Sequence, residues 1–184
     1  SLKPVLEKLA HSLDIPKVKV HLYEVDPVNG LAAPDGRIFI TRGFYNKYKL
    51  DEVSAEEIAS VIAHELGHIA LGHAKRRMID FSSQNAVRAA LGMLLGRVIP
   101  GLGNWVATIV ANLLMAKLSR ADEFEADEFA SALLNKSGIG TGPQISLFEK
   151  LEALSDQTGQ LPAWMMSHPR TEDRIAAIKA RNPG

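Results

Sequence analysis

Ser54-Ala55-Glu56-Glu57-Ile58-Ala59-Ser60-Val61-Ile62-Ala63-His64-Glu65-Leu66-Gly67-His68 is the stretch on which the reading of this chain turns. Ser54 followed three residues later by Glu57 is a capping box, so a helix is expected to start at Ala55. Ile58, Val61, Ile62, Leu66, Ile69 and Ala70 then recur at helical spacing, which places His64-Glu65-Leu66-Gly67-His68 well inside that helix. Residues four apart on a helix lie about 40° apart around the axis and about 6 Å along it. The imidazoles of His64 and His68 can therefore reach one metal ion, while Glu65, roughly 100° round from His64, can act on a water there. Two nitrogen ligands and one unbound carboxylate are what metal-assisted hydrolysis needs.

The neighbours of the motif are small or apolar (Ala63, Gly67, Leu71), so the site is expected to be partly buried, where charged groups need a partner or a metal. Gly67 costs about 1 kcal/mol relative to alanine inside a helix. Two readings stay open for it: a close approach required by the metal environment, or a tight contact with another helix.

A hydrolytic zinc site takes three protein ligands and keeps one position for water. The chain has no cysteine, so the third ligand must be sought among other donors. Ser119-Arg120-Ala121-Asp122-Glu123-Phe124-Glu125-Ala126-Asp127 reads as the start of a second helix, running to about Lys136, with apolar contacts from Phe124, Phe129, Leu133 and Leu134. Glu123 and Asp127 are four apart and share a face; one can ligate while the other accepts a hydrogen bond from a ligand histidine. Taken alone, this acidic run reads more readily as a solvated helix face. The upstream His-Glu-x-x-His pattern tips the balance towards the ligand reading.

Together, His-Glu-Leu-Gly-His at 64–68, Ser-Arg-Ala-Asp-Glu-Phe-Glu-Ala-Asp at 119–127 and Ser167-His168-Pro169 followed by Arg174 resemble the M48 family of zinc metallopeptidases, among the gluzincins. The likeness covers most of the chain. Asn29-Gly30-Leu31-Ala32-Ala33-Pro34-Asp35-Gly36 resembles the family's segment ahead of the active helix, with Gly30 and Asp35 departing from its usual pattern. The resemblance implies one zinc per chain held by His64, His68 and Glu123, with Glu65 as general base. It implies that Asp127 orients a ligand histidine, His64 by preference. His168 and Arg174 match positions that would steady the bound peptide or the oxyanion. His11, His21 and His73 match nothing in it.

The implied fold is α+β and mostly helical: a zincin-like metallopeptidase domain over residues 1–184, with a small sheet packed beside the His-Glu-x-x-His helix. The implied activity is that of a zinc-dependent endopeptidase acting on unfolded or damaged proteins. A latent or inactive zinc-binding protein with a chaperone or binding role is the alternative; a cover for the cleft is available in Leu161-Pro162-Ala163-Trp164-Met165-Met166. The β-prone segment Arg37-Ile38-Phe39-Ile40-Thr41 is expected to be an edge strand near Ile38–Thr41, along which an extended polypeptide substrate pairs through its main chain. A place in the bacterial cell envelope follows from the resemblance alone.

The composition fits this picture. The chain has 184 residues, 46% hydrophobic and 23% charged, enough for one domain with a real core. Lys plus Arg and Asp plus Glu both number 21, so the net charge is zero and nothing pulls the chain towards nucleic acid.

Along the chain, a helix is expected from Leu2 to Leu13, a strand from Val18 to Val25 and a turn-rich stretch from Asp26 to Gly36. A short helix near Gly43–Tyr48 and the metal helix, to roughly Ile79, follow. Later come a helix near Gln144–Gln157, a loop through Pro162 and Pro169, and a last helix from about Thr171. Residues 86–118 are apolar and uncharged from Val98 to Ala116. Pro100-Gly101-Leu102-Gly103-Asn104 breaks them and leaves a run of about 14 residues, short for a bilayer core. A helical hairpin inserted between the metal-ligand helices is the preferred reading, with membrane contact or self-association through it as alternatives.

Overall fold

In a computed structural model, the described residues are 1–33, 35–73, 75–76, 89, 93, 103–169 and 172–181, with only the backbone of 103–107 and 109–118. The hairpin expected over 86–118 lies largely outside them. The described residues form α1 (Lys3–Ser12), β1 (Val20–Tyr23), β2 (Gly30–Ala32), β3 (Ile38–Thr41), α2 (Arg42–Lys49), α3 (Ala55–Ala70), α4 (Gly103–Lys136), α5 (Gly142–Thr158), α6 (Ala163–Ser167) and α7 (Glu172–Ala180). This is a mostly helical α+β chain with one small sheet. It divides into two compact units, one made of residues 1–71 and 124–184, the other of residues 72–123.

In the first unit the sheet order is β1-β3-β2. β1 runs parallel to β3, pairing Val20 with Ile38, and β2 runs antiparallel to it, pairing Gly30 with Ile40. β3 is therefore the central strand. This corrects the expectation of an edge strand at Ile38–Thr41: its main-chain groups are already engaged on both sides, and the edge on the α3 side of the sheet falls to β2. The sequence hid this because β2 is three residues long and sits in a stretch that reads as turns.

Thr41 joins sheet to helix. Its hydroxyl caps α2, accepting from the Phe44 N–H, and also accepts from the Asn29 N–H at 3.0 Å. The Thr41 N–H in turn donates to the Asn29 carbonyl at 3.0 Å. The entry to β2 is thus fixed by the residue that starts α2.

α3 runs through the middle of the unit, packing on α1, β2, β3 and α5. Ile58 and Ile62 are fully buried, as are Leu9 of α1, Leu134 of α4 and Ile178 of α7. Each such side chain contributes roughly 1.5–3 kcal/mol by leaving water. α3 ends at Ala70, with Leu71 as its C-cap ahead of Gly72, whose φ of +67° suits glycine, and so stops short of the Ile79 expected. α4, by contrast, begins at Gly103 and not near Ser119, because no glycine or proline interrupts the chain from Asn104 to Lys136.

Candidate metal centre

The N-terminus of α3 is pinned before the site begins. Ser54 Oγ accepts from the Glu57 N–H, and Glu57 Oε2 accepts from the Ser54 N–H at 2.7 Å, completing the capping box. Glu57 also accepts from Ser146 Oγ at 2.7 Å and from Lys150 Nζ at 2.8 Å, both on α5. Burial alone pushes the Glu57 carboxyl up, but the hydrogen bonds from Lys150, the Ser54 N–H and Ser146 outweigh it and hold it below the usual carboxylate range.

Nearly three turns further on, Gly67 meets the second half of α4. A Cβ built on Gly67 would lie 3.0 Å from the Ala126 Cα, 3.0 Å from the Ala126 carbonyl oxygen and 3.2 Å from the Phe129 Cβ. The glycine lets two helix backbones touch, which settles the alternatives the sequence left open in favour of a helix contact. The contact serves the site as well, because Ala126 is adjacent to Asp127. Asp127 Oδ1 sits 3.0 Å from His64 Nδ1, and both residues are buried. With the carboxylate accepting, Nδ1 carries the proton and Nε2 presents its lone pair.

That lone pair points into a cluster of imidazoles. His64 Nε2 is 3.1 Å from His68 Nε2 and 3.2 Å from His168 Nδ1. The His168 ring stands perpendicular to that of His64 and stacks on Trp164 at 5.4 Å between centroids. Glu65 is 2% exposed; its Oε1 lies 3.3 Å from His168 Nε2, yet has no hydrogen bond of acceptable angle.

The donor set fits zinc. Nitrogen ligands at about 2.0–2.1 Å in a tetrahedron stand roughly 3.3–3.4 Å apart, close to the separations of His64 Nε2 from His68 Nε2 and from His168 Nδ1. A buried carboxylate oxygen left without a hydrogen bond beside them fits a role as acceptor from a water.

Glu123 stands one helical turn before Asp127 on α4 and is 3% exposed. The acidic run is therefore not a solvated face at these two positions. Arg174 departs from the expectation that it would steady bound peptide or oxyanion. Its Nε donates to Asp127 Oδ2 at 2.6 Å, its Nη2 to Asp127 Oδ1 at 2.9 Å and its Nη1 to the Pro169 carbonyl at 2.8 Å. The guanidinium is 2% exposed and lies over the Phe148 ring. Burial pushes the Asp127 carboxyl up, but hydrogen bonds from Arg174 and His64 prevail and keep it below the ordinary carboxylate range.

The family resemblance had brought His168 to the site from about 100 residues away in the chain, but sequence reasoning did not foresee that its Nδ1 would lie 3.2 Å from His64 Nε2, nor that Trp164 would pack edge-on against His64 at 5.8 Å. No local pattern carries such contacts. In the other unit, His73, expected as an ordinary surface or packing residue, is buried. Its Nε2 lies 3.9 Å from Asp122 Oδ1, which accepts a hydrogen bond from Arg76 at 3.2 Å.

The family model described as Peptidase family M48 matches residues 1–182. The chain is 29% identical over 180 residues to Metalloprotease LoiP of Escherichia coli (strain K12), covering 98% of this chain and 69% of that protein. It is 30% identical over 180 residues to Metalloprotease YcaL of the same organism, covering 98% and 68%. It is 27% identical over 222 residues to Protease HtpX of Pseudomonas aeruginosa (strain UCBPP-PA14), covering 97% and 72%.

Proposed function

The chain belongs to peptidase family M48 and is a zinc metalloprotease, and on that premise we propose how its own residues hydrolyse peptide bonds in unfolded or damaged polypeptides. His64 and His68 hold the metal, and Glu123 is the third ligand. The convergence of His64 Nε2 and His68 Nε2 beside the under-bonded Glu65 carboxylate is the observation that carries this reading. Glu123 enters because its spacing puts it on the face of α4 that carries Asp127, which already grips His64.

When bound, zinc supplies a Lewis acid that polarises a carbonyl and brings the acidity of a water towards neutral pH. Glu65 would take the proton from a water attacking the substrate carbonyl and deliver it to the departing amine. Its burial keeps competing bulk water from its oxygens. Asp127 holds His64 in the tautomer that presents Nε2. An extended substrate adds to the outer edge of β2 by main-chain hydrogen bonds, which tolerate many side chains and suit an unfolded chain. β2 packs on α3 next to the motif: a Cβ on Gly30 would fall 2.5 Å from Val61 Cγ1, one turn before His64.

The test is direct. The purified chain should retain one zinc, cleave casein, lose cleavage on chelation and regain it with zinc. Failure to retain zinc, or cleavage that survives its removal, overturns the proposal.

A latent form has its own supporting observation. His168 offers the site a further protein nitrogen, and a zinc closed by four protein ligands is the structural kind. His168→Ala separates the readings: faster casein cleavage supports latency, and slower cleavage supports a role for His168 beside Glu65. A place in the bacterial cell envelope rests on the resemblance; among the described residues no helix is long and apolar enough to cross a membrane.

A further inference from the structure

We infer that Arg174 is a positioning residue, whose one guanidinium fixes both the carboxylate that orients His64 and the loop that carries His168. The inference rests on the metal-centre reading above. Three observations converge on it. First, Nε and Nη2 grip Asp127 as a fork at 2.6 and 2.9 Å, and Asp127 in turn holds His64 Nδ1 at 3.0 Å. A fork of this kind sets the plane of the carboxylate as well as its position. Second, Nη1 donates to the carbonyl of Pro169, the residue after His168. Third, Phe148 of α5 lies under the guanidinium at 5.2 Å, so the group is held on its face as well as at its edge.

The consequence is a shared fixed point. The His64 ring is set through Asp127, and the His168 ring is set through the backbone next to it; both are set by the same planar group. Arg174 thus reaches the His64 ring through Asp127 and the loop bearing His168 through Pro169. A lysine at 174 keeps the charge and can reach Asp127, but it has no second arm for the Pro169 carbonyl and no fork to set the carboxylate plane.

Three variants of the full chain test this: Arg174→Lys, Asp127→Asn and the double substitution. Zinc release into a chelator is timed for each, and kcat and KM for casein are measured on the zinc-loaded proteins. Arg174→Lys should release zinc about 10–100-fold faster, as loss of a partner that orients a ligand does, and should lower kcat with KM unchanged. The double variant should release zinc no faster than Asp127→Asn alone, because the two residues act in series. Thermal melting of Arg174→Lys identifies any loss of folding, and Arg174→Gln, which keeps a planar end, then replaces it.

Unchanged zinc release in Arg174→Lys, or additive effects in the double variant, overturns the inference. So does a rise in KM at constant kcat, which would mean that Arg174 touches substrate. If the parent chain itself retains no zinc, the metal-centre reading fails instead, and the two failures are told apart by that one measurement.

Discussion

Two buried glutamates sit two turns apart on α3, and the fold treats them differently. Glu57 accepts hydrogen bonds from the Ser54 N–H, Ser146 and Lys150, on both of its oxygens. Glu65, equally buried, keeps an Oε1 with no hydrogen bond, 3.3 Å from His168 Nε2. A carboxylate with both oxygens engaged by protein donors holds structure together. One left with accepting capacity in a dry site is costly unless a ligand or water completes it. The contrast separates the part of α3 that anchors from the part that reacts, and it can be attacked from either end.

The largest effect is expected at the reactive end. Glu65→Gln keeps shape and removes the proton acceptor, so casein cleavage should fall by about 10²–10⁴-fold, with zinc content and melting temperature near those of the parent. Undiminished cleavage would erase the distinction between the two glutamates.

Glu57→Gln should do the reverse. Loss of a charge-assisted anchor is expected to lower stability by about 1–3 kcal/mol at neutral pH, read by urea unfolding, with kcat per folded molecule nearly unchanged. Its pH dependence sharpens the point. The folded-state carboxyl is held below its ordinary value of 4.5, so its contribution is present above that value and lost as the pH falls through the folded-state value. The stability gap between Glu57→Gln and the parent should therefore narrow on acidification below about pH 4. A gap that widens would mean that Glu57 is not held as an anion.

Gly67→Ala probes the ground between the two. Better helix propensity favours alanine by about 1 kcal/mol, but the new methyl would sit 3.0 Å from the α4 backbone at Ala126, and overpacking against backbone costs about 1–3 kcal/mol. Net destabilisation of about 1 kcal/mol, together with faster zinc release as Asp127 shifts from His64, is expected. A stabilised variant would show that the helices have room.

The smallest effect is expected at Gly30→Ala. Its Cβ would meet the end of the Val61 side chain at 2.5 Å, and Val61 can turn at a cost of about 1 kcal/mol. Pairing the change with Val61→Ala should recover that loss in a double-mutant cycle. Failure to recover would mean that β2 meets α3 through something other than this contact.

The parts of this molecule legible in its sequence are those fixed by local rules. The capping box placed the start of α3 at the residue where it begins, and spacing along one helix put His64 with His68 and Glu123 with Asp127. The M48 likeness covered the rest of the family assignment. What escaped was set by partners distant in the chain. β2 is a strand only because β3 lies beside it, which is why the edge was assigned to the wrong strand. α4 starts at Gly103 because nothing between Asn104 and Lys136 stops it, although an acidic run at Asp122–Asp127 looks like a beginning. Arg174 was expected to face substrate, and nothing in the local sequence says that a guanidinium will turn instead to Asp127.

The Trp164 N–H donates to the carbonyl of Val28, two residues before β2. That single bond ties the segment bearing His168 to the approach of the strand proposed to receive substrate. The backbone itself therefore holds the segment bearing His168 in register with the approach to β2.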